Sequence, residues 1–124
     1  MATNLTIRLA NLPGTLAEAA DVLGRAGTNI EGASGYVCET GQGVFNVLVS
    51  DPVQARRALM DSGFDIEAER RVALAPVENT PGSGARILRR IADAGVNIEL
   101  LYLAADGRLV LAGDDTHALE AALA

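Results

Sequence analysis

The chain of 124 residues contains no lysine and no tryptophan, and aromatic residues make up only 3% of it. All ten basic residues are arginines, and sixteen acidic residues outweigh them to give a net charge of −6. Proteins that bind nucleic acid neutralise phosphates with cationic side chains and stack bases on aromatic rings. The composition therefore argues against a nucleic-acid partner.

Cysteine is also scarce, since Cys38 is the only one. A single cysteine excludes a disulfide within the chain and an all-thiolate metal or iron–sulfur site. The first residues lack the basic leader and apolar run of a signal peptide, and no apolar run approaches the length of a membrane span. With 49% hydrophobic residues the chain has side chains for a core. We expect a folded cytoplasmic protein with no cofactor, no metal and no membrane partner.

An internal duplication is the strongest signal in the sequence. Residues 11–31 and 79–99 align without gaps at a spacing of 68 residues, and nine aligned positions are identical. The identities include an N-x-P-G turn and an Asn-Ile-Glu run that follows an Ala-Gly pair. Most of these are turn and boundary residues, so a shared hydrophobic pattern does not explain the match.

The first copy alternates between strand and helix patterns. Thr15 and Glu18 resemble a capping box, which predicts a helix start. We expect Leu16 and Leu23 on the inner face of that helix, which should end at Gly27. The predicted elements, in order, are a strand around 5–9, a helix from 15, strands at 29–37 and 44–49, a helix capped by Asp51 with Pro52 in its first turn, and a strand at 64–68.

This βαββαβ order predicts an α+β, ferredoxin-like unit, an antiparallel sheet with two helices on one face. The second copy repeats it with strands at 72–77, 97–104 and 109–112 and helices at 82–94 and from 115, the last expected to be capped by Asp114. We expect no fourth strand in this copy, which leaves the edge of its first strand bare. The predicted domains are residues 1–69 and 70–124.

The duplicated motif resembles the ACT domain, a small ligand-binding regulatory fold of amino-acid metabolism. The resemblance rests on N-x-P-G after the first strand, a helix ending in Ala-Gly, and x-N-I-E at the second strand, and it covers nearly the whole chain as a tandem pair. It implies that an amino-acid effector binds at the interface between two ACT units. The implied ligand-binding residues are Asn11, Leu12, Pro13, Gly14, Thr15, Asn29 and Ile30 in the first copy and Asn79, Thr80, Pro81, Gly82, Ser83, Asn97 and Ile98 in the second.

The predicted loops suit a zwitterion on physical grounds as well. The amides of Gly14, Thr15 and Leu16 open a helix, where N–H groups lack intrahelical acceptors and favour a carboxylate. An asparagine amide offers both a donor and an acceptor beside them. Some serine-binding members of the family place a histidine where this chain has Leu9 and Val77, so a more apolar amino acid fits at least as well as serine.

A structural explanation competes with the binding hypothesis at each of these residues. Asparagine before a Pro-Gly turn is a common local cap, and asparagine after a helix-ending glycine tolerates unusual backbone angles. A purely structural or interaction module with a vestigial site would show matched asparagines that face their own backbone. The sequence leaves this alternative open.

The function that the resemblance implies is a non-enzymatic regulatory module without catalytic residues. Binding of a small amino acid would alter association with itself or with a regulated enzyme or repressor. Bare sheet edges favour a homodimer formed by strand-edge pairing. Other proteins of similar topology fit poorly: an RNA-binding module needs a basic, aromatic face, a metallochaperone needs C-x-x-C, and an acylphosphatase needs an arginine in the first loop.

Cys38 and His117 have no catalytic pairing in the sequence. Cys38 stands beside Glu39, which should not lower its pKa, so we expect an ordinary half-buried thiol. We expect His117 to lie on the surface of the last helix.

Overall fold

Eleven helices and strands follow one another along residues 2–124, the part of the chain that the computed structural model describes. They are β1 (Thr3–Leu9), α1 (Thr15–Arg25), β2 (Gly32–Val37), β3 (Gly43–Val49), α2 (Pro52–Asp61), β4 (Asp65–Arg71), β5 (Ala73–Ala75), α3 (Ser83–Asp93), β6 (Ile98–Leu103), β7 (Leu109–Gly113) and α4 (Thr116–Leu123). The chain divides into a unit that ends at Arg70 and a second unit, Arg71–Ala124.

The first unit contains a four-stranded sheet in the order β2-β3-β1-β4, with β3 antiparallel to both β1 and β2. Alternate residues of β1 face the helices because side chains on a strand point to opposite faces. Leu5 and Ile7 are fully buried there against Leu23 of α1 and Leu59 of α2. Leu16, expected on the same inner face, is 52% exposed instead.

The second unit contains a three-stranded sheet in the order β5-β7-β6. Ile91 of α3, Leu111 of β7 and Leu119 of α4 form the fully buried part of its core. The predicted α+β class, with two antiparallel sheets and two ferredoxin-like units, is confirmed. Within residues 71–124 no fourth strand is present, as expected.

The two helices of the repeat begin with the same glycine geometry. Gly14 precedes α1 with φ 92° and ψ −13°, and Gly82 precedes α3 with φ 86° and ψ −10°. These angles are those of the third residue of a type II turn, which follows proline readily and favours glycine. The predicted capping box is wrong: Thr15 is the first helical residue, and its hydroxyl donates to the carbonyls of Ala10 and Leu12.

Several other boundaries differ from the prediction, and β5, expected over 72–77, is limited to Ala73–Ala75. β2 begins at Gly32 and not at Asn29, because the ladder with β3 begins where Gly32 pairs with Leu48. α4 is capped by Asp115 and not by Asp114, since the Asp115 carboxylate accepts from the N–H of Ala118 at 3.0 Å. The neighbouring aspartate precedes this turn and has no side-chain hydrogen bond within residues 2–124.

A row of polar side chains crosses the sheet face opposite the helices of the first unit. Asn4 donates to Asn46 Oδ1 at 3.0 Å, and the Thr6 hydroxyl donates to the same oxygen at 2.8 Å. Asn46 in turn donates to Ser34 at 3.4 Å, so the row spans β1, β3 and β2. Asn4 is fully buried and Asn46 nearly so, and their hydrogen bonds offset the cost of removing these amides from water.

Candidate ligand-binding site

The first unit carries a cleft of about 380 Å³ at one end of its sheet. One wall is the loop 10–14 together with the first turn of α1, and the other is the end of β2 and the start of β3. These segments meet because the antiparallel order places the end of β1, the end of β2 and the start of β3 at the same edge. The cleft therefore gathers Asn11, Leu12, Pro13, Gly14 and Thr15, the predicted loop residues of the first copy.

The second unit carries a cleft of about 430 Å³ in the equivalent place. Asn79 and Thr80 of the loop and Gly84 of α3 line one side, and Leu103 and Leu109 line the other. Pro81, Gly82 and Ser83 form the adjoining turn and helix start. Duplication has thus produced two clefts built from the same elements.

Sequence reasoning missed the far wall of each cleft. Tyr36, Val37 and Val44 in the first unit, like Leu103 and Leu109 in the second, come from strand ends. The βαββ topology was the signal that could have located them, because it fixes which strand ends share an edge.

The strand-start residues lie elsewhere. Asn29 and Ile30 precede β2, at the opposite end of that strand from Tyr36 and Val37. Asn97 precedes β6 and Ile98 begins it, at the opposite end of that strand from Leu103. Within a unit, neither cleft contains the residues predicted at the strand starts.

Each helix start has backbone amides that donate to no partner among residues 2–124. The Thr15 N–H reaches the Leu12 carbonyl at 3.4 Å, and the Ser83 N–H reaches the Thr80 carbonyl at 3.2 Å, so both close their own turns. The next amides of each helix lie in the first turn, where no intrahelical acceptor exists. Neither helix has a side-chain cap, which leaves these donors to a ligand or to water.

The four predicted asparagine side chains are exposed and make no hydrogen bond within the described residues 2–124. Asn11 and Asn79 are the two that line clefts. A local cap would occupy these carboxamides with neighbouring backbone groups. Asn11 and Asn79 therefore present unused donors and acceptors beside the helix starts.

The two clefts differ in charge. The first is lined by uncharged residues, whereas Glu78 lines the second at the position equivalent to Ala10. Arg86 Nη2 donates to the Ser83 hydroxyl at 3.3 Å, which places a guanidinium in the first turn of α3. The equivalent residue of α1 is Glu18. The second unit therefore brings both signs of charge to its helix start and cleft.

The family model of the ACT domain pair matches residues 1–123. The chain belongs to this family. The ACT pair is a regulatory fold and not a catalytic one, and the predicted resemblance is confirmed over almost the whole sequence.

Several solved structures are similar to this chain over almost its whole length. Protein BT0572 from Bacteroides thetaiotaomicron is 27% identical with a TM-score of 0.85, and the match covers 98% of this chain and 85% of that one. The ligand-free regulatory subunit of aspartate kinase from Thermus thermophilus is 21% identical with a TM-score of 0.75, over 98% and 87% of the two chains. The corresponding subunit from Thermus flavus is 17% identical with a TM-score of 0.73, over 98% and 90%. The aspartate kinase subunits show the shared fold. A comparison with curated protein sequences gave no match.

Cys38 follows β2 of the first ACT unit, and its thiol differs from the ordinary one expected from the sequence. Its pKa is lowered to about 7, first by the Thr40 hydroxyl 3.0 Å from Sγ and the Thr40 backbone, and then by Arg8, whose Nη1 lies 3.1 Å away. The prediction of an ordinary thiol considered only the adjacent Glu39. Thr40 lies only two residues from Cys38 in the sequence, whereas Arg8 reaches Cys38 only through the fold.

The described residues of the ACT pair include no group of three or more His, Cys, Asp or Glu side chains that could hold a metal ion. Between residues 2 and 124 no helix is long and apolar enough to cross a membrane.

Proposed function

We propose that this chain is a non-enzymatic regulatory module that binds a small amino acid where the cleft of one ACT unit meets a second ACT unit. Binding then alters the association of the chain with itself or with a partner. The observation that supports this most directly is the pair of equivalent clefts in which Asn11 and Asn79 offer unused carboxamides beside uncapped helix starts.

The carboxylate and the ammonium group of an amino acid each have a matching group in these clefts. Its carboxylate accepts from the first-turn amides of α1 or α3, where the helix dipole favours an anion. Its ammonium group donates to the asparagine Oδ1. In the first unit, Leu9, Tyr36 and Val37 offer apolar surface to the side chain, which favours an apolar amino acid. A ligand that bridges two units would also explain the predicted role of Asn29 and Asn97.

The regulatory output follows from linkage. A ligand that touches two units stabilises their association by its differential affinity for the associated state. The edge strands support the proposed homodimer, because Tyr36 on β2 and Leu103 on β6 are 58% and 59% exposed. The regulated partner in this proposal is an enzyme or a repressor of amino-acid metabolism, and the proposed location is the cytoplasm.

The second candidate function is a structural or interaction module with a vestigial site. Its support lies in the turn itself, where the Thr15 hydroxyl and amide both bond to carbonyls of the same loop. In the second unit, Thr80 and Ser83 hydroxyls bond to each other at 2.5 Å. These contacts explain part of the loop motif without any ligand.

A thermal-shift screen of the twenty amino acids separates the two functions. A ligand at one hundred times its dissociation constant stabilises the folded chain by about 2.7 kcal/mol, which raises the melting temperature measurably. We expect at least one amino acid to do so, and Asn11→Ala or Asn79→Ala to abolish the shift. Ser62→Ala, an exposed side chain with no hydrogen bond in residues 2–124, is the control and should retain it. A flat screen across all twenty supports the structural module instead.

A further inference from the structure

The residue that precedes the loop asparagine distinguishes the second cleft from the first. Glu78 lines the second cleft at this position, where the first cleft has Ala10. The other described residues that line the two clefts are all uncharged. A single carboxylate therefore separates two sites that duplication built from the same elements.

This carboxylate has no partner within the described part of the chain. Glu78 is exposed, and its side chain forms no ion pair or hydrogen bond among residues 2–124. Three other glutamates each hold an arginine within 2.8 Å, namely Glu67, Glu69 and Glu120. The Glu78 carboxylate is therefore available to a cation that enters the cleft.

The walls around Glu78 are aliphatic. Val77, Leu103 and Leu109 line the second cleft, and no aromatic residue is among the described residues that line it. A cationic side chain lays its methylene groups along apolar surface of this kind and keeps its charged end with a polar partner. The cleft of about 430 Å³ is no smaller than the first, at about 380 Å³, so a long side chain has room.

We propose that Glu78 makes the second cleft selective for an amino acid with a cationic side chain, whereas the first cleft takes an apolar one. The ligand's carboxylate accepts from the first-turn amides of α3, and its α-ammonium group donates to Asn79 Oδ1. Its methylene chain packs on Leu103 and Leu109, and its terminal cation donates to the Glu78 carboxylate. The chain then carries receptors for two classes of amino acid.

One position is enough to give the two clefts opposite preferences. Glu78 repels an acidic side chain, and an uncharged side chain removes water from the carboxylate without replacing it. In the first cleft a cationic side chain meets only the methyl group of Ala10, and covering an unpaired cation is unfavourable. Each cleft thus rejects the side chain that the other accepts.

The start of α3 strengthens the other end of the same ligand. Arg86 Nη2 lies 3.3 Å from the Ser83 hydroxyl, so a guanidinium adds positive charge at the first turn. The equivalent Glu18 adds negative charge at the start of α1. This selectivity rests on the proposed function, because it requires the second cleft to bind an amino acid, and it adds the ligand class and the residue that determines it.

Lysine and norleucine test the proposal, because norleucine has the carbon chain of lysine without the terminal ammonium group. The titrations use Asn11→Ala, which disables the first cleft. By calorimetry at pH 7, where the lysine side chain is charged, we expect lysine to bind about fivefold more tightly than norleucine. Glu78→Gln should weaken lysine binding about fivefold and leave norleucine unchanged. Asp93→Asn removes the same charge from an exposed residue of α3 and should change neither affinity.

Ala10→Glu is the reverse exchange, because it gives the first cleft the carboxylate of the second. In an Asn79→Ala chain, where the second cleft is disabled, we expect Ala10→Glu to strengthen lysine binding about fivefold. Leucine binding should not gain from the same change. Circular dichroism and melting curves check that each variant folds.

Three outcomes would overturn the selectivity alone. These are equal affinities for lysine and norleucine in the Asn11→Ala chain, a Glu78→Gln change that weakens both ligands equally or neither, and a second cleft that binds neither ligand while the first binds an apolar amino acid. In each of them an amino acid still binds, so the proposed function stands. A chain that binds none of the twenty amino acids in either cleft overturns the proposed function and the selectivity together.

Discussion

The Arg8 guanidinium joins the thiol of Cys38 to the carboxylate of Glu67. Its Nη1 donates to Cys38 Sγ at 3.1 Å and its Nη2 donates to Glu67 Oε1 at 2.8 Å. Arg8 on β1 thus connects the end of β2 with β4, on a sheet whose order places β1 next to β4. The same guanidinium lowers the pKa of the Glu67 carboxyl.

We expect Cys38 to ionise near pH 7 in the folded chain. The Thr40 contacts and the Arg8 charge favour the thiolate, so its fraction rises as pH passes through about 7, below the ordinary thiol value of about 8.5. The rate of iodoacetamide labelling against pH measures this midpoint. Thr40→Val should move the midpoint upward, because the Thr40 hydroxyl is the largest cause of the shift. Labelling in denaturant is the control, and equal midpoints in the folded and unfolded chains would contradict the prediction.

Thr28→Val should leave stability unchanged or raise it by up to about 1 kcal/mol. Thr28 is 9% exposed, and its hydroxyl has no hydrogen-bond partner in residues 2–124. Burying an unpaired hydroxyl is unfavourable, and the equivalent residue of the second unit is Val96.

Thr6→Val is the matched comparison, because the Thr6 hydroxyl bonds to Asn46 and accepts from Asn4. Its loss leaves one N–H of the buried Asn4 amide without its acceptor and should cost about 1–3 kcal/mol. Urea denaturation of the two variants measures the difference. Equal losses in both would show that the Thr28 hydroxyl has a partner after all.

Asp115→Ala should destabilise the chain by about 1 kcal/mol, because Asp115 caps α4. Asp114→Ala removes the same charge one residue earlier, and its loss of stability should be only a few tenths of the loss for Asp115→Ala. Chemical denaturation with both variants separates the cap from the charge. A larger loss for Asp114→Ala would restore the boundary predicted from the sequence.

The order of elements could be predicted because it depends on local patterns. Leu5 and Ile7 alternate with polar residues, and both proved fully buried, as a strand with one covered face requires. Where an element begins depends on distant partners. β2 starts at Gly32 because Leu48 of β3 is its first partner there, and no residue near Asn29 carries that information.

The candidate site could be predicted only on its loop side. Asn11 and Asn79 stood out because duplication repeated them beside a Pro-Gly turn. Tyr36 and Leu103 did not, because their presence in a cleft follows from the way strands pair across the sheet. The helix cap was misread for a local reason: Thr15 and Glu18 have the spacing of a capping box, but the left-handed Gly14 occupies the N-cap position, so Thr15 already lies within the helix.

The buried row of Asn4, Thr6 and Asn46 fixes the register of β1 against β3 more strictly than the register of β5 against β7 is fixed. Sliding β1 by one residue along β3 would turn Asn4 toward Leu23 and Leu59 and turn Leu5 into the amides, so misaligned pairings are strongly penalised. β5 places Ala73, Leu74 and Ala75 against Leu109, Val110 and Leu111, where a slip exchanges one apolar side chain for another. The two units, although they arose from one ancestral unit, therefore differ in how well they tolerate a slip in strand register during folding.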